Sequence, residues 1–217
     1  EVKKALICLD VTHASAENAV KNGCDLIISH HPVIFRAIKS ISRSSVCWKL
    51  IESGISVISA HTNLDKAPGG VNDTLCDTLG MDYYKLPEEY GEGFLNAGTI
   101  KGITGASALA EYISFKLGGA VRYIDSGDPI EKIAVCGGAG GEFFPEAKAA
   151  GCTALITGDA DHHDFLDAAA LGVSLFAAGH FETEVPVTDV IFKLLSEKCT
   201  EVEFILYPKE NSILTVK

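Results

Sequence analysis

Apolar residues along this chain gather into short runs separated by longer stretches of mixed polarity. In the first third the runs fall at about 4–9, 25–29 and 55–59 and predict strands. Between them, 14–22 and 43–53 carry apolar positions at helical spacing. Strands joined by helix-length connections are the pattern of βαβ units in a mainly parallel sheet. Gly23 and Gly54 each stand between a predicted helix and the next strand, where a C-terminal cap glycine belongs. A helix is expected near 71–79. Residues 81–93, broken by Pro87, Gly91 and Gly93 among acidic residues, read as a lobe boundary. The expected organisation is a first α/β lobe over 1–90 and a second over 91–217. The second holds a strand near 94–101, a helix near 106–117 and a strand near 120–124. A helix over 186–198, a strand over 201–207 and a further strand over 212–216 end the chain. The pattern allows this last helix and strand to pack back on the first lobe.

The first pattern returns from residue 132. Lys4 and Lys132, Cys8 and Cys136, Ala19 and Ala147, Gly23 and Gly151, and Cys24 and Cys152 share one offset. Leu26-Ile27-Ile28-Ser29 is answered by Ala154-Leu155-Ile156-Thr157. The segment from Gly54 to His61 is answered, after a shorter helix, by Gly172 to His180. The chain therefore reads as an internal duplication of a βαβαβ unit: two related α/β lobes with mainly parallel sheets.

Composition narrows the function without naming it. Of 217 residues, 47% are apolar and 22% charged, the balance of an ordinary globular protein. No apolar run reaches the length of a membrane span. A formal net charge of −11 argues against general nucleic-acid or anionic-membrane binding and suits divalent cations. Seven cysteines, none in a CxxC pair, read as buried free thiols in a reducing, cytoplasmic setting.

In open α/β sheets ligands bind beyond the carboxyl ends of parallel strands. Six of the seven histidines fall just after predicted strands: His30, His31, His61, His162, His163 and His180. Asp65, Asp159, Asp161, Glu182 and Glu184 accompany them. His180 and Glu184 are four apart and share a face if the chain turns helical there. Neighbours on an extended chain point in opposite directions, so His30 and His31 suit two ions better than one. Asp65 offers the bridging carboxylate that two close cations require. These residues predict a dinuclear site from His30, His31, Asp65, His180 and Glu184. Imidazole and carboxylate without thiolate fit Zn, Mn, Fe, Co or Ni. His61 and His163 are candidates either to support the metal ligands or to carry protons, the second role making them catalytic, and His13 and His162 read as surface residues. Cys136-Gly137-Gly138-Ala139-Gly140-Gly141-Glu142 reads either as a tight turn or as an anion-holding one. There is no separate cofactor-binding motif and no Gly-x-Ser-x-Gly elbow.

Asp25-Leu26-Ile27-Ile28-Ser29-His30-His31-Pro32, Ala60-His61-Thr62-Asn63-Leu64-Asp65 and Gly69-Gly70-Val71-Asn72-Asp73 resemble the GTP cyclohydrolase 1 type 2 homologues, the Nif-three-like dinuclear metal proteins. The glycine-rich turn, Thr157-Gly158-Asp159 with His163-Asp164, and Ala178-Gly179-His180 with Glu184 extend the resemblance over nearly the whole chain. It implies a Nif-three-like fold, two divalent ions per subunit on the five ligands above, and a ring-shaped homohexamer. The usual Trp-Asp-Asn segment ahead of the first strand is not seen here, where the only tryptophan is Trp48.

The function expected is that of a metal-dependent hydrolase acting on a small molecule, a nucleotide or other phosphoester. The alternative is a metal-handling or regulatory protein without turnover.

Overall fold

The apolar runs at Lys4–Cys8 (β1), Leu26–Ser29 (β2) and Ser56–Ser59 (β3) pair as parallel neighbours, with Glu203–Leu206 (β10) added alongside β1. The sheet order is β10-β1-β2-β3. Helices α1 (His13–Lys21) and α2 (Val46–Ser53) supply the crossovers. Thr12 starts α1 through a reciprocal capping box with Ser15, and Ser45 starts α2 by accepting from the Trp48 N–H. Leu6, Cys8, Ala16, Ala19, Ile27, Leu50 and Ile55 form one buried cluster. Helix α9 (Val187–Lys198) leads into β10, which places the C-terminal helix and strand in this first unit.

This computed structural model describes residues 1–209 and divides into two units. Among the described residues, one comprises 1–64 and 187–209 and the other 65–186. The strand expected over 212–216 lies outside the described residues.

The second unit is built on a six-stranded sheet of order β4-β5-β7-β8-β9-β6. Its centre is parallel: β7 (Ile133–Ala139), β8 (Ala154–Asp159) and β9 (Ser174–Ala177). Its flanks are antiparallel: β4 (Asp82–Lys85), β5 (Asn96–Thr99) and β6 (Arg122–Ile124). The sheet is therefore mixed, with the expected parallel core. Side chains alternate across it. Ile133, Val135, Ala154, Ile156 and Phe176 pack on one face with Leu75 and Leu79 of α4 (Val71–Leu79) and Leu109 and Ile113 of α5 (Ala106–Leu117). Ala134, Cys136, Leu155 and Leu175 pack on the other with Ala147 of α6 (Phe144–Ala149) and Ala168 of α7 (His162–Ala170).

The ladders reproduce the sequence repeat. The pair Ala5–Leu26 is answered by Ile133–Ala154, both members displaced by 128 positions. The pair Leu26–Ser56 is answered by Ala154–Ser174, whose second member is displaced by only 118. The helix expected to be shorter is not, since α2 has 8 residues and its counterpart α7 has 9; it is the segment between strand and helix that is shorter.

The lobe boundary expected near residue 90 falls inside the second unit. The stretch 81–93 contains a strand, and the Leu86 N–H donates to the Leu95 carbonyl at 3.0 Å beyond the last β4–β5 pair. Leu86 and Leu95 are buried, so the Pro and Gly residues between them form a hairpin connection and not a linker. The chain changes unit at Leu64–Asp65, within the one-turn helix α3 (Thr62–Lys66), and again at Pro186–Val187.

Leu109 is fully buried between α5 and the sheet. Leu109→Ala is expected to lower the unfolding free energy by about 2–5 kcal/mol, read from the midpoint of urea denaturation.

Candidate metal centre

In the first unit three imidazoles gather past the strand ends. The ladder stops at Ser29 opposite Ser59, and His30 and His31 follow in a bend. The His31 N–H donates to the Leu9 carbonyl at 3.0 Å, which turns the chain out of the sheet. The ring centroids lie 4.8 Å apart for His30 and His31, 5.3 Å for His30 and His61, and 5.6 Å for His31 and His61. One ring nitrogen from each of the three lies within 4.8 Å of the others. The opposite orientation expected of His30 and His31 is not observed. Alternation requires an extended strand, and β2 ends one residue earlier.

Each imidazole of the adjacent pair has its Nδ1 held. His30 Nδ1 is 2.8 Å from the Ala60 carbonyl, which can only accept, so Nδ1 carries the proton. His31 Nδ1 is 2.8 Å from Asp10 Oδ1, where a carboxylate accepts. In both rings Nε2 is then the lone-pair nitrogen, the form that ligates a metal.

In the second unit α8 (His180–Glu184) is a single helical turn, so the condition for a shared face is met. His180 Nε2 lies 3.3 Å from Glu184 Oε2, and His180 Nδ1 lies 2.7 Å from Asp159 Oδ2. Asp65 offers a carboxylate oxygen within 4.8 Å of one on Glu184. Gly179 opens the turn at φ 94°, and a Cβ there would meet Glu182 Oε2 at 2.1 Å. Gly138 forms the floor at φ 65°: a Cβ would stand 2.2 Å from Glu184 Oε1 and 3.3 Å from His180 Nε2. Only glycine leaves room for the buried Glu184 carboxylate.

The Glu184 carboxylate, followed by Asp159, raises the His180 pKa to about 9 against some desolvation. Without metal, His180 is therefore charged at neutral pH and stabilises this unit. That contribution is full below the ordinary imidazole pKa and is lost as pH rises through about 9. A cation taking Nε2 must displace a proton. Burial pushes the thiols of Cys8, Cys76 and Cys136 up to about 12. They stay protonated at neutral pH.

Three amides of the glycine-rich turn bond to side chains of the protein. The Gly137 N–H donates to Asn72 Oδ1 at 2.7 Å, Gly138 to Thr183 Oγ1 at 3.1 Å and Gly140 to Thr157 Oγ1 at 2.9 Å. These amides are committed within the protein, which agrees with a tight turn.

His30, His31 and His61 thus assemble in one unit, and Asp65, His180 and Glu184 in the other. His163 lies exposed on α7, its ring edge-on to His162 at 5.5 Å and outside both clusters. His13 and His162 are exposed, as expected. Sequence reasoning missed Asp10, although it directly follows the first strand run. It noted Asp159 as a strand-end residue but gave it no partner. Asn72 gave no signal apart from its place in Gly69-Gly70-Val71-Asn72-Asp73.

Strand-end groups of imidazole and carboxylate define a chain that could hold a metal ion. The model of the Duf34/NIF3 (NGG1p interacting factor 3) family matches residues 1–212, and the chain belongs to this family. It is 34% identical over 221 residues to the GTP cyclohydrolase 1 type 2 homolog of Clostridium perfringens, covering 94% of this chain and 82% of the relative. It is 32% identical over 200 residues to the GTP cyclohydrolase 1 type 2 of Helicobacter pylori, covering 90% and 78%. Among solved structures, Staphylococcus aureus hypothetical protein SA1388 superposes with a TM-score of 0.86 at 25% identity, over 100% of this chain and 88% of that one. A Bacillus cereus protein related to NIF3 gives 0.87 at 20% identity, over 99% and 90%.

Two outcomes follow from this geometry. Gly138→Ala is expected to displace Glu184 and lower metal affinity by about tenfold or more, measured by competition with a chromogenic chelator. Metal uptake at pH 7 is expected to release a proton from His180, seen as a calorimetric enthalpy that varies with the ionisation enthalpy of the buffer. Affinity is expected to rise with pH until the imidazole is neutral, near pH 9.

Proposed function

We propose that His30, His31, Asp65, His180 and Glu184 together hold two divalent cations, and that the protein is a metal-dependent hydrolase of small molecules. The observation that carries this is the anchoring of three imidazoles through Nδ1, to Ala60, Asp10 and Asp159, which fixes each ring with Nε2 on the side away from its anchor. The donor set agrees: imidazole and carboxylate gather, and the Cys136 thiol, which feels the charges of Asp65 and Glu184, is kept protonated by burial. Such donors suit Zn, Mn, Fe, Co or Ni.

Bound cations would supply Lewis acidity, polarising the substrate and making water nucleophilic near neutral pH. The chain's residues do the rest. Asp65 offsets the repulsion of two close cations as a bridging carboxylate. Asp10 and Asp159 fix the orientation of His31 and His180. His61, beside His30 and His31, carries the proton to or from the reacting group. His163, exposed and outside both clusters, is the second proton carrier of this reading, and His163→Ala is expected to lower turnover with metal retained. The relatives' names favour a nucleotide substrate, and other phosphoesters suit the same donor set.

The reading extends to assembly and compartment. A homohexamer is expected, observable by light scattering as six times the 23.0 kDa chain mass. The free cysteines favour the reducing cytoplasm. No helix of the described residues is long and apolar enough to cross a membrane.

The second reading, metal handling or regulation without turnover, draws on the family description as an interacting factor. Mass spectrometry of metal content, with a screen of nucleotides and phosphoesters, decides between them. Wild type is expected to hold two ions per chain, and His31→Ala and Glu184→Ala fewer. Equal content in all three would refute the site. Turnover is expected to vanish in Glu184→Ala and to fall in His61→Ala with metal retained. Metal binding with no turnover on any substrate would favour the second reading.

A further inference from the structure

We propose that Asn72 is a positioning residue that sets Asp65 for metal binding, through three hydrogen bonds made by one buried amide. This rests on the metal reading above. Asn72 is the second residue of α4 and only 3% exposed. Its Nδ2 donates to the Asp65 carbonyl at 3.1 Å and to the Phe94 carbonyl at 2.9 Å. Its Oδ1 accepts from the Gly137 N–H at 2.7 Å. The orientation is unambiguous, because both carbonyls only accept and the N–H only donates. Each amide proton is used.

What Asn72 joins matters for the metal. Asp65 lies in α3, a helix of one turn, too short to hold its own geometry. Gly137 precedes Gly138, whose N–H donates to Thr183 Oγ1 at 3.1 Å and whose missing Cβ leaves room for Glu184. Thr183 lies within α8 and donates back to the backbone of that turn. A continuous set of bonds therefore runs from the backbone of Asp65, through Asn72 and the glycine turn, to the helix that carries His180 and Glu184. It holds Asp65 at the distance from Glu184 described above. Asp73 secures the neighbouring backbone by accepting from the Gly69 N–H and the Asn96 amide, both at 2.8 Å. The Gly69-Gly70-Val71-Asn72-Asp73 motif thus serves the ligand geometry without contributing a ligand.

The test uses the full chain, loaded with Co(II), and two variants. Asn72→Asp keeps the shape and the acceptor for Gly137 but removes both donors. Asn72→Ala removes all three bonds. Leu109→Ala, far in sequence from the ligands and also destabilising, serves as the control. Affinity and stoichiometry are read by titration, ligand geometry by the visible absorption of bound Co(II), and folding by circular dichroism. Both Asn72 variants are expected to fold, to bind Co(II) about 10–100-fold more weakly and to show an altered spectrum. Leu109→Ala is expected to keep wild-type affinity and spectrum. Wild-type binding and spectrum in the Asn72 variants would overturn the proposal, as would equal loss in the control. Failure of both Asn72 variants to fold would also overturn it, since Asn72 would then serve the fold alone. A wild type that binds no Co(II) would instead overturn the metal reading itself.

Discussion

In a parallel ladder every strand ends at the same edge, and this constraint decides where the polar side chains of this protein can gather. Cys8 pairs with Ser29 and Ser29 with Ser59, so the next residues of each strand emerge side by side. Asp10 thereby meets His31 across 21 positions of sequence, and Ala60 meets His30 across 30. The second unit applies the same rule with β8 and β9. Thr157 pairs with Ala177, and Asp159 then reaches His180. The His31–Asp10 and His180–Asp159 contacts, one in each unit, follow from register.

The anchors also determine chemistry. A carbonyl or carboxylate on Nδ1 selects one tautomer and presents Nε2, while burial keeps nearby thiols protonated. The result is a set of nitrogen and oxygen donors in a chain that carries seven cysteines. Charge balance in the second unit depends on the same residues. Glu184 is buried beside a His180 that holds its proton, and a bound cation would take over that proton's role.

The glycine-rich turn shows how one sequence signal can be read two ways. Clustered glycines suit an anion cradle and close packing equally well. The choice depends on what the amide groups face. Here they face Asn72, Thr183 and Thr157, residues distant in sequence, and the space left by Gly138 is filled by Glu184. Periodicity near the turn carries no trace of this, because the partners come from α4, α8 and β8.

The sequence by itself determined the strand and helix alternation, the duplicated unit and the strand-end positions of the histidines. These rest on local periodicity and on a repeat that the two ladders reproduce in register. It also marked the His180–Glu184 spacing, which needs one helical turn and no more. Tertiary structure alone decided the rest. The division of the chain at Leu64–Asp65 and Pro186–Val187 depends on β10 returning to β1 and on β4 pairing with β5, contacts between distant residues. The common direction of His30 and His31 depends on where the ladder stops, a backbone bend that hydrophobic pattern does not report. Asp10, Asp159 and Asn72 gained their roles only when folding placed a hydrogen-bond partner beside each, because such a bond is fixed by distance in space and leaves no period in the chain.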